Sequence, residues 1–116
     1  MEDWQIDFEW LHVRNYVKDS LQMDKLPDLQ TVLFLIGIQE LALLKDDYTK
    51  EEKRDLMHVA VCELLVEDGY YELEGLDQDG WPHYKLLNPL PHTDLKAQEQ
   101  FLKTKVIYYF KQRELI

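Results

Sequence analysis

The 116-residue chain is 46% hydrophobic, 12% aromatic and 31% charged, and its 13 Lys and Arg stand against 23 Asp and Glu, a formal net charge of −10. That length and apolar share suit one domain with a real core, spanning residues 1–116. Four Gly, four Pro and one Cys exclude collagen-like, low-complexity and disulfide-stapled classes, and the acidic balance excludes a strongly basic nucleic-acid binder, since it repels phosphates.

The first helix is predicted from near Asp3 to near Leu21, with acids in its first turn where the helix dipole favours them. It carries two apolar stripes at helical spacing. One is Ile6, Trp10, Val13, Val17 and Leu21; the other, on the far side, is Trp4, Phe8 and Leu11. A single core can take one stripe, so the second calls for another cover.

Pro27 and Asp28 open a second helix, Leu29 to about Leu44, with Asp28 as its cap. Its stretch Val32 to Ile38 (VLFLIGI) is apolar on every side, which places it deep in a core or in a subunit interface. Gly37 within it permits another backbone to come close, at a cost of about 1 kcal/mol against alanine.

Thr49-Lys50-Glu51-Glu52 is a capping-box pattern, with the Thr49 hydroxyl accepting from the Glu52 amide and the Glu52 carboxylate reaching back. The third helix should run to about Glu67 and stop at Gly69, a residue suited to a left-handed turn. Met57, Ala60, Val61, Leu64 and Leu65 form its expected core face, widened by Val59, Cys62 and Val66. Glu52, Glu63 and Glu67 leave only a narrow polar strip.

Tyr70 to Leu87 alternates and then turns at Asp77-Gln78-Asp79-Gly80, which reads as a β-hairpin. Pro82 is tolerated in its second strand because both strands of an isolated ribbon are edges. Such a ribbon is marginal alone, so its Tyr and Trp side chains should lie against helices. After Asn88-Pro89-Leu90-Pro91, Thr93 or Asp94 caps a last helix to about Arg113. Its core stripe is Leu95, Leu102, Val106, Tyr109 and Phe110, with Phe101 and Tyr108 off that stripe. The expected fold is mainly α (α+β): four helices with one hairpin between the third and fourth, an order loosely like that of a winged helix.

The compartment expected is the cytoplasm. Cys62 has no partner for an internal disulfide, the N-terminal MEDWQIDFEW lacks signal-peptide order, and no apolar run approaches the roughly 20 residues of a membrane span. Charge is uneven: residues 1–60 hold 13 acids and 7 bases, residues 61–93 hold 7 and 1, and residues 94–116 hold 3 and 5. An acidic middle beside a mildly basic tail can guide subunit docking.

Chemical motifs are sparse. His58 and Cys62 share a helix face, but a zinc site needs three or four ligands, and His12 is the sole distant candidate for a third. Cys62 sits among valines and leucines, the setting of a core residue rather than of a nucleophile. Asp77-Gln78-Asp79-Gly80 starts like a calcium loop, yet no Glu closes it, and Asp and Gly are also what an ordinary turn demands. His83 and His92 flank the Asn88–Pro91 segment and, with Asp77 or Asp79, are the candidate ligands of a transition metal with open positions. The only serine, Ser20, has no nucleophile elbow around it. In a winged-helix reading, Lys50, Lys53 and Arg54 are offset by Glu51, Glu52 and Asp55, and the wing carries Glu72, Glu74, Asp77 and Asp79 against Lys85, so phosphates are repelled.

The stretch HVAVCELL followed by YYELEGLDQDGWPHYKLL, within Lys53 to Leu87 and continuing through LPHTDL, resembles a group of small uncharacterised bacterial proteins. That resemblance implies a bacterial cytosolic single domain; the group has no assigned activity, cofactor or catalytic residue, so no site transfers from it.

The leading expectation is a non-enzymatic protein–protein interaction module that self-associates as a homo-oligomer, with no cofactor, nucleic acid or membrane partner. Its interface candidates are Trp4, Phe8, Leu11, Phe101 and Tyr108, the apolar surface left over once one core is assigned. The alternatives are a small metal-dependent enzyme using His83, His92, Asp77 and Asp79, and a winged-helix-like regulator with little or no direct DNA binding.

Overall fold

The computed structural model describes residues 2–91 and 94–116. Four helices and one hairpin appear in the expected order: α1 Asp3–Ser20, α2 Leu29–Leu41, α3 Lys50–Val66, β1 Tyr71–Leu76, β2 Pro82–Leu86 and α4 Leu95–Gln112. The molecule is mainly α with a small β part. The chain sorts into two compact units, Met1–Val32 with His92–Ile116, and Leu33–Pro91.

In the first unit, α1 packs on α4. The first apolar stripe of α1 is buried at Ile6, Trp10, Val13 and Val17, and α4 buries Val106, Ile107, Tyr109 and Phe110. Each such side chain contributes roughly 1.5–3 kcal/mol when fully withdrawn from water. Tyr16 meets Phe110 edge to face at 5.6 Å between centroids. Arg14 donates from Nε to the Pro27 carbonyl at 2.7 Å and so pins the loop entering α2. Two residues depart from the expected stripes. Leu21 lies just past the last turn of α1 and is exposed, and Leu95, the first residue of α4, is 77% exposed.

In the second unit, α2 buries Leu33, Leu35 and Ile36, and α3 buries Leu56, Val59, Ala60, Cys62, Leu64 and Leu65. The buried face of α3 is therefore rotated from the expected one: Leu56 is fully enclosed, whereas Met57 and Val61 are only partly covered. The two helices touch at Gly37. A Cβ there would collide with the Leu56 carbonyl, so the absent side chain is what lets the backbones meet.

The hairpin pairs antiparallel, Tyr71 with Leu86 and Leu73 with Tyr84, and a bulge between Leu73 and Gly75 shifts the register before Pro82 faces Leu76. β1 lies against α3. Tyr84 fixes the same contact from the second strand, donating its hydroxyl to Glu63 Oε2 at 2.7 Å.

The starts of α2 and α3 follow the sequence signals. Asp28 Oδ1 accepts from the Thr31 amide at 2.9 Å, and the Thr49–Glu52 box closes in both directions, at 3.1 Å to Thr49 Oγ1 and 2.9 Å to Glu52 Oε1. Lys45 pairs with Glu52 as well. Asp94 occupies the start of α4 without a side-chain cap bond, and Thr93 lies outside the described residues.

Helix ends are less conventional. Each of the four closes with an amide bonded back to the carbonyl five residues earlier: Met23 to Lys18, Leu43 to Ile38, Tyr70 to Leu65 and Leu115 to Phe110. The residue before each of those amides is left-handed. It is glycine only at Gly69 (φ 81°); Gln22, Ala42 and Glu114 adopt φ of 53°, 50° and 56°. The closure at Ala42 ends α2 three residues short of the expected Leu44.

Candidate functional site

Two surfaces gather the residues singled out by the sequence, one in each unit. In the first unit, burying Ile6, Trp10, Val13 and Val17 turns the other stripe of α1 outward. Trp4 is 67% exposed, Phe8 55%, Leu11 43% and Tyr108 of α4 50%. Trp4, Gln5, Phe8 and Glu9 line a shallow groove of about 250 Å³ whose far wall is Lys111, paired with Glu9 at 3.5 Å. Lys111 stands one turn beyond Tyr108, so the groove continues onto the end of α4. Phe8 meets His12 along its own helix in a tilted ring contact, 4.6 Å between centroids. Phe101 is half-buried with the Lys105 ammonium 5.2 Å above its ring.

In the second unit, a cleft of about 440 Å³ lies between the hairpin turn and α3. Asp77 organises the turn. Its Oδ1 accepts from the amides of Asp79 and Trp81, each at 2.9 Å, and its Oδ2 lies 3.0 Å from His83 Nε2. The bond with His83, followed by the amide bonds, holds the Asp77 carboxyl below its usual range, so the group keeps its negative charge. Asp79, Trp81 and Tyr84 line the cleft from the hairpin, and Asp55 and His58 line it from α3. Burial, then the bond to Glu63, pushes the Tyr84 hydroxyl up, so it stays protonated as a donor.

Of the four candidate metal ligands, the structure brings His83 and Asp77 into contact and puts Asp79 in the same turn; His92 lies outside the described residues. Among the described residues, no group of three His, Cys, Asp or Glu is placed to hold a metal ion. His58 lies 3.5 Å from the Cys62 sulfur. Cys62 itself is buried, and desolvation, with the nearby Glu63 adding, pushes its thiol up to about 11, which leaves little thiolate at neutral pH.

Asp55 and His58 were not linked to the hairpin by sequence reasoning. They sit three apart on one helix face, but which face of α3 meets the ribbon depends on how the nearly all-apolar helix rotates. The described residues contain no helix long and apolar enough to cross a membrane. No family model matches the chain, and neither does any curated protein or any solved structure.

Proposed function

We propose that this chain is a non-enzymatic interaction module whose partner is a second copy of itself, docked through Trp4, Phe8 and Leu11 of α1 and Tyr108 of α4. The observation that carries this reading is the outward stripe of α1, which leaves large apolar side chains in water while the other stripe of the same helix is buried. Half-exposed rings of this size add up to roughly 400 Å² of apolar surface, the scale at which patches on a monomer mark contact sites.

Charge favours a second copy as the occupant. α1 carries Asp3, Asp7, Glu9 and Asp19 against Arg14 and Lys18, whereas α4 carries Lys96, Lys103, Lys105 and Lys111 against Glu99. In a two-fold dimer a contact of one helix on the other occurs twice, so acidic α1 meets basic α4 at both places. A patch near the low end of interface sizes gives association in the micromolar range rather than an obligate dimer.

The test is the double variant Phe8→Ser with Leu11→Ser. Both side chains are already exposed, so its melting temperature should stay within about 2 °C of the parent, while its dissociation constant for self-association rises at least tenfold. An unchanged dissociation constant, or a parent chain that stays monomeric at several hundred micromolar, contradicts the proposal.

A further inference from the structure

We infer that the cleft between the hairpin turn and α3 binds small organic cations, ligands that carry an ammonium or guanidinium beside a flat or apolar body. The inference rests on the second unit alone and is independent of the self-association reading.

Three features of the cleft converge on that ligand class. The first is sign. Asp55 from α3 and Asp77 and Asp79 from the turn face the cavity, and among the described residues no lysine or arginine lines it. Asp77 is held by two backbone amides and by His83, and the basic side chains that do line the cleft are His58 and His83, so Asp55 and Asp79 are the carboxylates left to meet a ligand. The second is the wall. Trp81 and Tyr84 are both partly open to the cavity, and aromatic faces attract cations by about 0.5–2 kcal/mol, most strongly at tryptophan. The third is size. About 440 Å³ lies inside the range of small-molecule pockets and is far larger than one ion needs.

Competing ligand classes fit less well. An inorganic anion would meet three carboxylates. A transition metal would require three ligands, and no such group exists among the described residues. A bare hydrated cation would leave the Trp81 and Tyr84 faces unused. An ammonium seated near Asp55 and Asp79, with its hydrocarbon or ring against Trp81, uses both the acidic and the aromatic side chains of the lining.

The probes are tryptamine and agmatine, with indole-3-propionate as the anionic counterpart of tryptamine, titrated calorimetrically into the full chain. Saturable one-to-one binding of at least one amine is expected, with indole-3-propionate at least tenfold weaker. Asp79→Asn and Asp55→Asn keep shape and remove charge, and each should weaken amine binding at least tenfold with the circular dichroism spectrum unchanged. Trp81→Leu should weaken tryptamine more than agmatine. Silence from both amines, equal affinity for tryptamine and indole-3-propionate, or amine binding untouched by both Asp variants overturns the assignment. Binding that persists in the Asp variants but disappears with Phe8→Ser would place the amine on the α1 groove and overturn it equally.

Discussion

Gly37 is the residue whose replacement has the sharpest consequence. The Leu56 carbonyl occupies the space a methyl group would need, and that carbonyl belongs to a helix rather than to a pliable side chain. Gly37→Ala gains helix propensity of about 1 kcal/mol but forces α2 and α3 apart, so a net loss of about 2–4 kcal/mol is expected in denaturant unfolding. A neutral result would mean that the helices do not approach as described. Ala42 gives the opposite sign. It holds a left-handed conformation that disfavours every residue with a Cβ, so Ala42→Gly should stabilise by about 0.5–1 kcal/mol, the reverse of the usual effect of glycine next to a helix. Gly37 was legible as a close-approach site because nothing else explains a glycine inside VLFLIGI. The left-handed Gln22, Ala42 and Glu114 were not legible, because the residue types that usually mark such turns are absent there and only the returning hydrogen bonds reveal them.

At the scale of elements, starts were readable and rotations were not. Thr49, Glu52, Asp28 and the Asp77–Gly80 turn each satisfy local backbone groups, so their sequence signals depend on few neighbours. The buried face of α3 depends on what packs around it. With apolar residues at 56, 57, 59, 60, 61, 62, 64, 65 and 66, the helical wheel offers no contrast to choose Leu56 over Met57 and Val61. The cleft was hidden for the same reason: His83 and Asp77 are close in sequence, but Asp55 and His58 join them only once α3 has its observed rotation. The hairpin is marginal without that packing, and Tyr84 is its polar anchor. Tyr84→Phe should lose the bond to Glu63 and cost about 1–2 kcal/mol. Its hairpin amides should exchange with deuterium faster than those of α3, whereas equal protection would assign the anchoring to apolar contact alone.

The whole molecule responds to pH through the same groups. Asp28, Glu52 and Asp77 have carboxyls held below their ordinary values, chiefly by the Thr31 amide, by Lys45 and by His83 respectively. The folded state therefore binds fewer protons than the unfolded one near pH 4, and this stabilisation is present above that region and lost as pH falls through it. On the alkaline side, the buried Cys62 thiol titrates at about 11 against an ordinary 9.0, so its stabilising effect is complete below pH 9 and fades as pH rises towards 11. A thermal-denaturation series should show a plateau between these limits and a fall on both sides; rising stability below pH 4 would contradict the carboxylate contacts. Cys62 should correspondingly react with a thiol reagent at pH 8 only at the rate of unfolding.

The self-association reading also belongs to this scale, because it depends on two opposing properties of the chain. A net charge of −10 repels a second copy, whereas the stripe of Trp4, Phe8 and Leu11 and the opposite charges of α1 and α4 attract one. Sedimentation equilibrium of the unmodified chain from about 10 μM to several hundred μM weighs the two directly. The weight-average mass is expected to rise from 14.0 kDa towards twice that value and to level off there. A mass that stays at 14.0 kDa across the series would show that the outward stripe of α1 is left to water and serves no second copy.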